Sequence, residues 1–187
     1  MLPPGHIAAG FLTSAVVLKI LNPQLPPQQV QHLIYWGMFF SFAPDLDSFV
    51  SFLNEKAWYI KNPKNNHRKY ISHAPILWLA SGLLIYFLST DVYWKVFGLM
   101  LWVCSWSHFL LDSIDYGIMW LWPFNKKVFA IKNQGMDFSI KSSNFFGYWR
   151  IFVKLYITRL TFYFEILIII TAAALFVSNH YSLITIQ

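Results

Sequence analysis

Five apolar runs, at residues 7–21, 33–53, 74–88, 92–122 and 160–177, divide the chain and constrain its fold more than any other feature. A bilayer core asks for about 20 apolar residues from each helix that crosses it. Inside lipid each segment satisfies its own backbone polar groups, which favours helices for runs of this length. Composition agrees: 57% of the 187 residues are hydrophobic and 12% are charged, whereas soluble domains carry roughly 25% charged residues. The expected fold is an all-α, multi-span integral membrane bundle forming a single domain, residues 1–187, with about five apolar segments. Some runs fall short of the spanning length, so tilted or re-entrant segments stay open for those.

Positive charge is unevenly placed. Lys56, Lys61, Lys64, Arg68 and Lys69 lie between the second and third runs, and Lys126, Lys127, Lys132, Lys141, Arg150, Lys154 and Arg159 between the fourth and fifth. The other connections hold only Lys95. With five spans, the positive-inside bias places the N-terminus and both basic loops in the cytoplasm. These flanks account for the net charge of +6, so membrane lipids are the expected partners and nucleic acid is not. Cys104, alone of its kind, reads as a small apolar packing residue. Because no Lys or Arg precedes the first run, it does not read as a cleaved signal peptide. The basic, aromatic loop 125–159 leads into the last span, 160–178. Its segment 145–164 interleaves aromatics with Arg150, Lys154 and Arg159, and reads either as a helix lying in the interface or as the flank of that span.

Ionisable groups within such runs need a reason, since an Asp at the centre of a span costs about 2.5–3.5 kcal/mol on insertion scales. His108 and Asp112, in SHFLLD, are one helical turn apart on one face. Imidazole and carboxylate together suit zinc and its neighbours, and a buried His–Asp pair tying helices together is the plainer alternative. His67 and His73 flank HRKYISH, as two ligands or as two surface histidines. Arg68 offers a planar fork for phosphate or carboxylate, or simply flanking charge. In PDLD, Pro44 breaks the helix, so Asp45 and Asp47 can face one site or cap the next helix. His6 follows PPG at the start of the first run.

Alternation of the spans places all seven candidates, His6, Asp45, Asp47, His67, His73, His108 and Asp112, at one membrane face, whichever face that is. Unrelated structural groups would scatter, so the convergence points to a shared metal site. His32 and His180 fall toward the other face and read as interfacial. The chain has only Glu55 and Glu165 as glutamates and contains no HExxH, no GxSxG and no GxxxxGK[ST], which removes helix-borne Glu proteases, serine hydrolases of the elbow type and P-loop enzymes.

The ordered set GHI, PDLD, HRKYISH and SHFLLDSIDYGIMWLWPF, from residue 5 to residue 124, resembles the membrane-bound metal-dependent hydrolase family of the YdjM type. That family's pattern is GH, PDxD, HRGxTHS, then HxxxD followed by a Gly and LWP. It is in turn similar to zinc-dependent phospholipase C enzymes. The resemblance implies His67, His108 and Asp112 as ligands of one metal, His6 as a ligand of a second, and Asp45 as ligand or general base, with His73 and Asp47 also matching. It also implies a bacterial inner membrane. Lys69, Ser72 and Ala74 depart from the pattern without touching a proposed ligand.

The function expected is a metal-dependent hydrolase that cleaves a phosphoester, of a phospholipid or another membrane-associated substrate, with a metal-activated water at the cytoplasmic side. Asp45 or Asp47 would take the water's proton and Arg68 or Lys69 would steady the anion. The cofactor expected is one or two divalent ions, zinc foremost, with manganese and iron as alternatives. The competing readings are a non-catalytic membrane protein with a structural metal and a module that binds phosphate or a partner.

Overall fold

The computed structural model describes residues 1–59, 67–132, 140, 142 and 144–184, with side chains to 178. Seven helices follow one another: α1 (Pro3–Leu21), α2 (Pro27–Phe42), α3 (Asp47–Glu55), α4 (Pro75–Leu88), α5 (Val92–Asp112), α6 (Phe145–Tyr156) and α7 (Leu160–Ile184). Single 3-10 turns occupy Ala43–Leu46, His67–Lys69 and Ile71–His73. The described residues form no strand beyond one isolated antiparallel bridge, Ile118 with Phe129.

Local chemistry accounts for most helix boundaries. Helices α1, α2 and α4 each start on proline, whose preset φ suits the first turn and whose missing N–H is not needed there. The Asp91 carboxylate accepts the Tyr93 and Trp94 amides to begin α5, and Asn144 does the same for Gly147 at the start of α6. Asn22 closes α1 in the left-handed conformation, with φ of 41°. Neither aspartate of PDLD caps α3: its N-cap is Leu46, and Asp47 is already helical.

Each apolar run contains helix, but the number of possible spans is smaller than the number of runs. Among the described residues, only α1, α5 and the Leu160–Ser178 part of α7 are long and apolar enough to cross a membrane. Helix α2 has 16 residues and α4 has 14, about 24 and 21 Å at 1.5 Å per residue, against a hydrocarbon core of about 30 Å. Pro44 breaks the second run into α2, a 3-10 turn and α3. The fourth stops being helical at Asp112 and continues to Phe124 as turns.

Helix α5 is the central element and packs against α1, α2 and α4, while α7 lies along α1. Leu18, Leu33, Phe40, Val96, Met100 and Cys104 form the core between them. Cys104 is fully buried, as a small apolar residue would be, with the Ser14 hydroxyl 3.5 Å from its sulfur. Helices α4 and α5 meet at Gly82 and Gly98. A methyl group on either would come within 2.5–2.6 Å of the other's carbonyl oxygen, so the two backbones touch as small residues allow in membrane interfaces.

The 145–164 segment is a separate short helix followed by a break at 157–159. Tyr148, Phe152 and Tyr156 recur every fourth residue and are buried, while Phe146, Arg150 and Lys154 are exposed. The buried stripe joins Ile140, Leu2, Tyr59 and Tyr116 in a second apolar cluster. This cluster lies at the end of the bundle where α1 begins and α5 finishes. Lys61, Lys64 and Lys141 lie outside the described residues, as does the side chain of His180; His32 is exposed on α2, at the end away from PDLD.

Candidate metal centre

The site is made from helix ends. His6 lies in the first turns of α1, Asp45 in the turn after α2, Asp47 at the start of α3, His67, Arg68 and His73 in the two 3-10 turns before α4, and His108 and Asp112 in the last turns of α5. Pro44 is what allows PDLD to turn here. It ends the α-helical hydrogen bonding of α2, and the tighter 3-10 geometry brings Asp45 across the bundle end.

All seven candidate ligands come together. Asp45 is at the centre. Its Oδ1 lies 3.6 Å from His67 Nε2, 3.6 Å from His73 Nε2 and 3.7 Å from His108 Nε2. On the other side, His6 Nε2 is 3.8 Å from Asp45 Oδ2 and 3.3 Å from Asp112 Oδ1. The His6 and His108 rings stack with centroids 3.8 Å apart. Asp45, His73, His108 and Asp112 each offer an atom within 4.8 Å of the others, and Asp47, His67 and His73 form a second such group.

The contacts of Asp45, at 3.6–3.8 Å, are too long for hydrogen bonds. They approach the separation of roughly 3.3 Å that donors around one ion show when each bond is 2.0–2.2 Å. His6 Nε2, His73 Nε2, His108 Nε2 and Asp45 Oδ1 are buried and have no hydrogen-bond partner. Buried polar atoms are almost always satisfied, and three of these orphans, on His73, His108 and Asp45, also belong with Asp112 to one group of atoms within 4.8 Å of each other, which a shared cation explains. Nitrogen and oxygen donors in this mixture suit zinc, manganese or iron, and the residues present therefore fit a divalent ion.

The groups behind the ligands reinforce that fit. His108 Nδ1 donates to the Ser41 carbonyl oxygen at 2.8 Å, and His73 Nδ1 to Asp47 Oδ2 at 2.7 Å. Both bonds leave Nε2 with its lone pair directed at Asp45. The Ser72 hydroxyl donates to the same Asp47 oxygen. Burial alone would raise the Asp45 pKa, but His108, His67, His73 and His6 outweigh it and hold the carboxyl well below its usual range. Burial pushes His73 down, while Asp45 and Asp47 more than offset it and raise that imidazole above its ordinary value. A proton and a metal ion thus compete for the same nitrogen.

Arg68 and Asp112 are bound to each other. Arg68 Nε donates to Asp112 Oδ2 at 2.8 Å, its guanidinium lies 4.1 Å from the centroid of the Tyr116 ring, and only 6% of the residue is exposed. The terminal ammonium of Met1 lies 2.6 Å from Asp112 Oδ1. Lys69, by contrast, is exposed on its turn. Asp45, His67 and Arg68 line a cavity of about 230 Å³ that opens beside the cluster, whereas Asp47 sits behind His73.

Several residues of this assembly were not among the sequence candidates. Glu165 on α7 is buried and accepts the Gly5 amide at 3.1 Å and the Leu2 amide at 3.4 Å, and the Tyr156 hydroxyl donates to it. Asp115, just past α5, accepts both the amide and the hydroxyl of Thr161 at the start of α7. The rule that singled out Asp112, an acid inside an apolar run, applies equally to Asp115 and Glu165. Burial raises the Tyr156 pKa far above that of a free phenol, and the Glu165 contact adds to it.

Fold and site together define the class: a helical membrane protein with a buried His and Asp group able to hold a metal ion. The chain belongs to the YdjM inner membrane protein family, whose profile matches residues 1–183. The match continues well past residue 124, where the motif resemblance stops, and takes in α6 and most of α7. No curated protein and no solved structure matches the chain.

Proposed function

We propose that this protein is a metal-dependent hydrolase of the inner membrane that cleaves a phosphoester, of a phospholipid or another membrane-associated substrate, at the cytoplasmic side. The observation that carries the reading is the set of buried orphan atoms of His73, His108 and Asp45, grouped with Asp112 within reach of one ion beside an open cavity. Asp45, His73, His108 and Asp112 would hold one ion, with His67 and His6 at its edge completing the shell or helping to hold a second. A divalent metal, zinc foremost, would supply Lewis acidity toward a phosphoryl oxygen and lower the pKa of water toward neutrality.

The chain's own groups have distinct parts. Asp45, which lines the cavity, is placed to accept the water's proton. Asp47 orients His73, and the Ser41 carbonyl orients His108. Arg68, braced by Tyr116 and Asp112, presents its positive charge to an anionic substrate at the cavity floor.

The second reading is a membrane module that binds phosphate or a partner without metal. It is favoured by Asp112, whose oxygens are already engaged by the Met1 ammonium and Arg68. Elemental analysis of purified protein separates the two. Stoichiometric zinc, manganese or iron in the wild type, lost in folded, monodisperse His108→Ala and Asp112→Ala variants, is expected, followed by turnover on a phosphoester panel that includes lipids. Protein that stays metal-free after reconstitution would overturn the hydrolase reading and leave the second. Metal-loaded protein inactive on the whole panel would reduce the ion to a structural role.

A further inference from the structure

The cavity beside the cluster has two unlike ends. Its floor is Asp45, His67 and Arg68. Its walls are aromatic, with Phe49 and Phe52 of α3 on one side and Tyr148, Trp149 and Phe152 of α6 on the other. The Trp149 indole donates to the Trp58 carbonyl oxygen at 3.1 Å, linking the two walls just beyond α3. Around this opening the outer surface is also apolar, for Phe49, Val50, Leu53 and Trp58 on the α3 side and Phe145, Phe146 and Val153 on α6 are all exposed. The exposed cations Arg150 and Lys154 lie on the same short helix as the last three.

A water-soluble substrate has no use for such walls. At about 230 Å³ the cavity is smaller than the roughly 300–1,000 Å³ that hold a drug-sized ligand, so it takes the reacting head and the first part of one hydrocarbon chain, with the rest left in lipid. The charge balance sets the head. Of the side chains that line it, Asp45 carries the negative charge and Arg68 the positive one, and a divalent ion at the cluster would make this part of the lining net positive.

We propose that the cavity binds a phosphate ester of a single long hydrocarbon chain, which enters sideways from the bilayer between α3 and α6 with its phosphate at Arg68 and its chain against Phe52 and Trp149. This rests on the hydrolase reading only for the ion that makes the floor positive. A lysophospholipid and a long-chain alkyl or prenyl phosphate share the required chemistry.

Alkylation protection tests the proposal without relying on turnover. Single cysteines are placed by Phe52→Cys and, on the opposite wall, Trp149→Cys; the natural Cys104 is fully buried. Each zinc-reconstituted variant is held in phosphate-free galactolipid nanodiscs, and the maleimide reaction rate is followed with dodecyl phosphate, ethyl phosphate or dodecanol. Dodecyl phosphate at ten times its dissociation constant is expected to slow alkylation about tenfold at either position, and the other two to leave it unchanged. A Phe124→Cys control, 94% exposed in the wild-type residue and outside the cavity, should not be protected. Equal protection by ethyl phosphate overturns the role of the chain, and equal protection by dodecanol overturns that of the anionic head. Absence of protection at both cysteines overturns the proposal entirely. Protection by dodecyl phosphate in a protein that hydrolyses nothing would keep the ligand and discard the hydrolase. Glycerol-headed and prenyl-chain phosphates then distinguish the two sources.

Discussion

A single carboxylate, Asp45, faces four imidazoles, and its neighbour Asp47 faces one of them from behind. The two should therefore fail differently. Asp45→Ala is expected to abolish stoichiometric metal. Asp47→Asn keeps the donors but weakens the hold on His73, and should lower metal affinity about 10–100-fold, read by competition with a chelator of known affinity. Equal losses in the two variants would show that Asp47 is itself a ligand. Ligand types were legible in the sequence at this scale, because an ionisable side chain inside an apolar run announces that something holds it. The groups that orient them were not. His108 is aimed by the Ser41 backbone carbonyl, an atom every residue has, and the Met1 ammonium at Asp112 carries no side-chain signature.

Among the helices, one close joint is the crossing of α4 and α5 at Gly82 and Gly98. A branched side chain there meets the opposing backbone first, with the Cβ atoms of Trp102 and Ile85 close behind. Gly98→Leu is expected to destabilise the bundle by about 1–3 kcal/mol or more, and Gly98→Ala by less, measured as the thermal midpoint in detergent. Unchanged midpoints would mean the helices separate without cost. A second joint ties α7 to α1 and α6 through Glu165, whose partners are the Leu2 and Gly5 amides and the Tyr156 phenol. Because the folded pKa of Tyr156 is raised, the native state keeps the phenolic proton above about pH 10 where the unfolded chain releases it. The Tyr156 contribution to stability should be constant below that pH and fall as it is exceeded. Tyr156→Phe should flatten the alkaline part of the curve, checked by thermal unfolding from pH 8 to pH 11, and an identical slope in both proteins would remove Tyr156 as the cause. Helix starts were legible from Pro3, Pro27 and Pro75, whereas the end of α5 at Asp112 was not. Apolar residues continue to Trp122, and periodicity cannot distinguish a helix from the packed turns held by the Ile118 and Phe129 pairing.

For the whole molecule, the site end is also the basic end. Lys56, Lys69, Lys126, Lys127, Arg150 and Lys154 lie in or beside the segments that surround the cluster, while the turns between α1 and α2 and between α4 and α5 contain no Lys or Arg. Cysteines at Lys126 and Ser89 should accordingly be labelled from opposite sides of the membrane, with Lys126 cytoplasmic by the positive-inside bias. Labelling of both from one side would remove the expected orientation. That every candidate ligand would share one end was legible from alternation alone, and it survives the finding that only three helices are of full spanning length, since α2 and α4 still run out and back. The joint made by Glu165 and Asp115 has a consequence for how such a molecule comes into being. All the candidate ligands are translated before α7 exists, yet the first turn of α1, where His6 stands, is fastened by a carboxylate on α7 and α7 is fastened in turn by Asp115. The ribosome therefore delivers every candidate ligand before it delivers the carboxylate whose hydrogen bond fastens the turn in which His6 stands. The placement of His6 is thereby completed only once α7 has docked against α1.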